Sequence, residues 1–150
     1  MSRAFVKESA ESAPPPERMI AGGPNPVTQA GYEKIAAEVA RLEAALKSET
    51  NVLLRETLER DLRYWAVKKA SAQVAPPPEG AAVAFGSRVT FTRNGKTQTL
   101  RIVGEDEADP ARGLVSWRSP LVQAVMGAEA GDEIEMDKPK VEIVIVRVEN

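Results

Sequence analysis

Two successive runs of apolar residues at helical spacing constrain this chain more than any other feature. Tyr32, Ile35, Val39, Leu42 and Leu46 recur at intervals of 3, 4, 3 and 4, the spacing of a coiled-coil seam. Leu54, Leu58, Leu62 and Trp65 follow at intervals of 4, 4 and 3. Ser48-Glu49-Thr50-Asn51 separates the runs, and such residues form turns and helix caps. Thr28 is placed to cap the first helix. The second run continues through Val67 and Ala70 to about Val74, where Pro76-Pro77-Pro78 must end it. Two amphipathic helices joined by a short turn pack as an antiparallel hairpin. It is expected over residues 27–75, with a length of roughly 30 Å.

The pattern changes after Gly80. Residues 87–93 and 96–103 alternate and are rich in β-branched side chains, with Asn94-Gly95 between them. Asn-Gly is the strongest short hairpin signal, because both turn residues need positive φ. Residues 113–117, 133–136 and 141–148 read as further strands, with Lys138-Pro139-Lys140 as a turn. Residues 120–126 read as a short helix capped by Ser119, with Pro120 at its first position. The expected class is α+β: the helical hairpin, then a small, mostly antiparallel sheet with one short helix. Residues 1–26 hold Pro14, Pro15, Pro16, Pro24 and Pro26 with few large apolar side chains, which predicts a disordered tail. Within it, Phe5-Val6 is a candidate docking motif. Residues 76–84 are expected to be a linker, and residues 85–150 the second domain.

Composition removes whole classes of chemistry. The chain has no Cys and no His. Thiol nucleophiles, disulfides and His-dependent triads are excluded, as is nearly every zinc or haem site. With a net charge of −2 there is no overall positive field for nucleic acid. Aromatics are 5% of residues, too few for a base-stacking platform or for the aromatic pocket of a prolyl isomerase. No apolar run approaches the 18 or so residues of a membrane span, and residues 1–11 lack the apolar core of an export signal. The expectation is a cytoplasmic protein that is not an enzyme.

Two features outside the core pattern are candidate functional sites. Glu105-Asp106-Glu107-Ala108-Asp109 is an acidic run following a strand. It reads as a solvated loop, a cation site or a contact for a basic partner. Trp117-Arg118-Ser119-Pro120 is a strand-to-helix corner whose Trp and Arg could anchor an interface.

In sequence order, Phe85-Gly86-Ser87-Arg88-Val89-Thr90-Phe91, Ile102-Val103-Gly104-Glu105-Asp106-Glu107-Ala108-Asp109, Ser116-Trp117-Arg118-Ser119-Pro120-Leu121, Gly127 and Gly131-Asp132-Glu133-Ile134 resemble the C-terminal domain of GreA/GreB transcription elongation factors. Pro26-Val27-Thr28-Gln29-Ala30-Gly31-Tyr32-Glu33-Lys34-Ile35 resembles the start of that family's coiled coil, and Arg63-Tyr64 is GreB-like. The resemblance implies an FKBP-like second domain and bacterial RNA polymerase as partner. In this family the C-terminal domain docks at the mouth of the polymerase secondary channel and the coiled coil enters it. Tip carboxylates then help hold a Mg²⁺ at the polymerase active site, where polymerase itself cleaves backtracked RNA. The polymerase-binding residues so implied are Glu105, Asp106, Glu107, Asp109, Arg118, Ser119 and Pro120.

Two departures bear on activity. The family's acidic tip motif is missing: the turn reads Leu46-Lys47-Ser48-Glu49-Thr50-Asn51-Val52-Leu53. Each helix is also shorter by about a dozen residues, or roughly 18 Å of reach. On the docking side, Arg118 stands where GreB-like proteins carry an acid. The expectation is a Gre-family protein that binds polymerase and modulates elongation without efficient stimulation of cleavage. It would act as a monomer with no cofactor of its own, meeting nucleic acid only through the transcription complex. Two alternatives stand beside it. One is a regulator of nucleoside diphosphate kinase, a group with a Gre-like domain and a short hairpin. The other is a true cleavage factor using Glu49, with Glu56, Glu59 and Asp61 nearby on a solvated helix face.

Overall fold

The computed structural model describes residues 13–150; residues 1–12, with the candidate motif Phe5-Val6, lie outside the described residues. The chain divides into two compact units. One contains Glu33–Ser71 and the described residues before Pro24; the other combines Pro24–Tyr32 with Ala72–Asn150.

The first unit is the helical hairpin. Helix α1 spans Gln29–Ser48 and helix α2 spans Val52–Ser71. Thr28 caps α1: its hydroxyl accepts from the Gly31 amide at 3.0 Å. The seam of α1 is buried at Ile35, Val39 and Leu42. Asn51 caps α2 by accepting from the Leu54 amide at 3.1 Å. Arg55 closes the end of α1, donating to the carbonyls of Leu46 and Glu49 at 2.7 Å each; those carbonyls have no partner within the helix. On α2, Leu58, Leu62 and Trp65 are half-buried but Leu54 is exposed. Its spacing is right, yet it lies in the first turn of α2 beside a three-residue connection, where the seam runs out.

Part of the expected tail lies against α2. Arg18 stacks on the Tyr64 ring at 3.9 Å and approaches Asp61 at 3.5 Å, while Glu17 hydrogen-bonds Arg63. That bond holds the Glu17 carboxyl below its ordinary pKa. The contact is therefore at full strength above the ordinary carboxylate range and is lost as pH falls through the depressed value. In an NMR pH titration the signals of Glu17 and Arg63 are expected to shift together, at a pH below that of an isolated glutamate.

In the second unit, helix formation stops at Ser71, short of Val74. Residues 73–74 form a strand, β2 (Gln73–Val74), parallel to β1 (Pro26–Val27). The Gln73 amide donates to Asn25 O at 2.9 Å and the Ala75 amide to Val27 O at 3.0 Å. Strand pairing thus takes the amides that a longer helix would have used. The hairpin proper is correspondingly shorter than 27–75.

The main sheet contains β3 (Arg88–Arg93), β4 (Lys96–Val103), β5 (Leu114–Ser116), β6 (Glu133–Asp137) and β7 (Lys140–Glu149), in the order β5-β4-β3-β7-β6. Only β4 and β5 run parallel. Short helix α3 is Pro120–Val125. Alternation puts Val89, Phe91, Leu100, Ile102, Ile143 and Ile145 on the inner face, against Val122 and Val125 of α3. Val83, within the expected linker, is also buried in this core; its amide and carbonyl both pair with the segment after α3. The α+β class and the order of elements agree with the sequence expectation.

The Asn94-Gly95 turn adopts φ values of 49° and 83°, as a two-residue hairpin of this type requires. A Cβ on Gly95 would touch nothing. Gly95→Ala is therefore expected to cost only the backbone strain, about 1–2 kcal/mol, measurable as a lower urea midpoint.

Candidate functional site

The acidic run and the Trp-Arg corner lie in the second unit. After β4, Glu105–Glu107 forms one 3₁₀ turn, and Pro110–Arg112 another. The turns send the carboxylates in different directions. Glu107 points inward: it accepts from the Thr28 amide at 3.2 Å, the Thr28 hydroxyl and the Gly104 amide at 3.1 Å. It therefore ties the start of α1 to the sheet as a clamp. Two glycines make room for it. A Cβ on Gly31 would collide with the Glu107 carboxyl carbon, and one on Gly104 would fall 2.7 Å from the Pro26 carbonyl.

Glu105 turns outward and pairs with Arg118, Oε2 to Nε at 3.1 Å. The Arg118 guanidinium also covers the Trp117 ring at 4.7 Å and donates to the Pro24 carbonyl at 3.1 Å. Arg118 is thus held on three sides and still exposed, a posture suited to meeting a partner. Ser119 accepts from the Val122 amide at 3.2 Å, the cap that starts α3. Pro120 is exposed at its first position. Asp106 and Asp109 are half-buried; the Asp109 backbone exchanges two hydrogen bonds with Leu114, at 2.8 and 3.1 Å. Of the seven expected docking residues, Glu105, Arg118 and Pro120 form the outward face. Glu107 and Ser119 spend their side-chain oxygens holding the local structure.

The hairpin tip is different. Glu49 accepts from the Asn51 amide at 3.0 Å, so its carboxylate is folded onto the turn. Beside it Val52, Leu53 and Leu54 are 67%, 45% and 54% exposed. The tip therefore joins a polar turn, Glu49-Thr50-Asn51, to three exposed aliphatic side chains. Among the described residues no three carboxylates gather in a way that could hold a metal ion. Glu59 lies 3.7 Å from Arg55, and Asp61 2.9 Å from Arg60. Both face cations on their own helix.

The family model described as "Transcription elongation factor, GreA/GreB, C-term" matches residues 78–150. GreA of Nautilia profundicola is 33% identical over 139 residues, covering 76% of this chain and 86% of that protein. This chain belongs to the GreA/GreB family. GreA of Nitratiruptor is likewise 33% identical, covering 79% of this chain and 87% of that protein. GreB of Neisseria meningitidis is 37% identical over 98 residues, covering 61% and 60%. Two solved structures are similar. GreA factor homolog 1 of Thermus thermophilus has 19% identity, covers 85% of this chain and all of that one, and gives a TM-score of 0.42. A GreA/GreB factor from Nitrosomonas europaea has 22% identity, covers 84% and 99%, and also gives 0.42. The chain is thus of a transcription elongation factor family. No helix among the described residues is long and apolar enough to cross a membrane.

Proposed function

We propose that this Gre-family protein binds bacterial RNA polymerase at its secondary channel through the Glu105–Arg118 face. It presents its hairpin to the channel and modulates elongation without efficiently stimulating transcript cleavage. The observation that carries this reading is the tip, where one carboxylate is bonded to its own turn and exposed Val52, Leu53 and Leu54 follow. Mg²⁺ needs oxygen ligands at about 2.0–2.1 Å, and aliphatic side chains supply none. The protein would act as a cytoplasmic monomer, with the catalytic metal belonging to polymerase.

The test is RNA cleavage in a purified backtracked polymerase complex. The protein is titrated alone and against a GreA factor. The expected result is no acceleration by the protein alone and progressive loss of the GreA effect. Strong acceleration by the protein alone would overturn the reading. If neither effect appears, polymerase is not the partner, and co-purification with nucleoside diphosphate kinase becomes the next measurement. Glu49→Ala is expected to leave both readouts unchanged. A loss of cleavage in that variant would restore the cleavage-factor alternative.

A further inference from the structure

The outer face of the sheet carries a second feature, away from the acidic turn. Strand register puts Arg88 of β3 directly opposite Arg101 of β4. Arg101 is in turn opposite Leu114 of β5, and its amide is bonded to the Gly113 carbonyl at 2.8 Å. That bond brings in Arg112, the last residue of the second 3₁₀ turn. Arg88, Arg101 and Arg112, with Thr99 and the Gly113 backbone, line an open cavity of about 240 Å³.

Like charges directly opposite on a sheet destabilise it, so this arrangement works against folding. Among the described residues none of the three guanidinium groups has an ion-pair partner. The neighbouring strand offers one carboxylate: Glu149 of β7 stands opposite Arg88, but it is paired with Arg147 at 3.0 Å. Thr90 and Thr99, the next pair on this face, bond to each other at 3.2 Å. Three cations around one concavity, with no acid in its lining, suit a compact ligand carrying several negative charges. Guanidinium groups match phosphate oxygens in a planar fork. No aromatic side chain lines the cavity, so nothing there would stack a base.

We propose that Arg88, Arg101 and Arg112 form a binding site for a di- or triphosphate group, reading the phosphates and not a base. The cavity is small, about 240 Å³, and its three cations converge on one place, which favours a free phosphoanion over a nucleic-acid backbone. The site is independent of the polymerase reading and is tested on the purified chain alone.

The experiment is calorimetric titration of the full chain at low ionic strength. Inorganic pyrophosphate is the first probe and a mixed-sequence single-stranded oligonucleotide the second. Pyrophosphate is expected to bind with 1:1 saturation. Arg88→Gln with Arg101→Gln should weaken it by at least about tenfold, since charge-assisted bidentate contacts dominate such binding. Arg93→Gln, at the far end of β3, should bind as the parent does. Removing the opposed charges should also raise the melting temperature of the double variant without ligand, so weaker binding would not be mistaken for misfolding. Three results would overturn the proposal: no saturable binding of pyrophosphate, binding undiminished in the double variant, or saturable binding of the oligonucleotide alone.

Discussion

Gly31→Ala and Glu107→Ala are each expected to lower stability by about 2–4 kcal/mol, and the double variant by hardly more than either alone. The two changes attack one object from opposite sides. Glu107→Ala deletes the acceptor of the Thr28 amide, the Thr28 hydroxyl and the Gly104 amide. Hydrogen bonds to a charged group are worth about 1.5–3 kcal/mol each, and donors left without an acceptor cost more when they are partly buried. Gly31→Ala leaves Glu107 in the chain but puts a methyl where its carboxyl group sits. The carboxylate is the far end of a flexible side chain, so it can move aside, but only by giving up the same three bonds. Once Glu107 is truncated, the three atoms nearest the new methyl are gone with it. A double-mutant cycle read from urea denaturation should therefore give a coupling of about 2–4 kcal/mol, close to the cost of one single variant. Strict additivity would mean that the clamp is not what keeps position 31 a glycine. Gly104→Ala has no such escape, because its neighbour is the Pro26 backbone carbonyl.

The clamp also shows where the sequence was legible and where it was not. Periodicity identifies α1 and the longer strands β3, β4 and β7, because each buries a face long enough to leave a pattern. Asn94-Gly95 and Ser119-Pro120 fix a turn and a helix start by local chemistry alone. Strands β1 and β2 have two residues each and carry no period at all. Their pairing is visible only once the chain has brought residues 26 and 73 together. Val83 looks like linker because it stands alone among prolines and small residues, yet one buried valine is enough to draw its segment into the core. The acidic run reads as a single charged loop, since adjacent carboxylates look alike in sequence. A 3₁₀ turn then sends Glu105 outward and Glu107 inward. The one signal for this was small residues at two distant places, Gly31 and Gly104, both of which must yield space to one side chain. At the tip the missing acidic motif is a property of the sequence itself, whereas the exposure of Leu54, whose spacing places it in the seam, is visible only in the structure.

Charge reversal at the outward face separates fold from docking. Glu105→Arg and Arg118→Glu are each expected to weaken binding to polymerase by more than about tenfold, a change of about 1.4 kcal/mol or more. The Glu105–Arg118 pair is partly exposed, with side-chain accessibilities of 21% and 34%, so its own stabilising effect is at most about 1 kcal/mol. Each single variant should therefore stay folded, with a small loss of melting temperature from two like charges brought side by side. The double exchange re-forms an ion pair of opposite polarity and should recover part of that loss. Full recovery is not expected, because a carboxylate at position 118 cannot cover the Trp117 ring as a cation or donate to the Pro24 carbonyl, as Arg118 does. If the partner reads these charges, binding stays weak in the exchanged protein, since a complementary surface now meets reversed signs. Recovery of binding along with stability would show that the pair only holds the corner in shape. Competition against a labelled GreA factor on core polymerase, repeated at two salt concentrations, gives the answer. Docking by charge predicts that the gap between parent and variant narrows as salt rises.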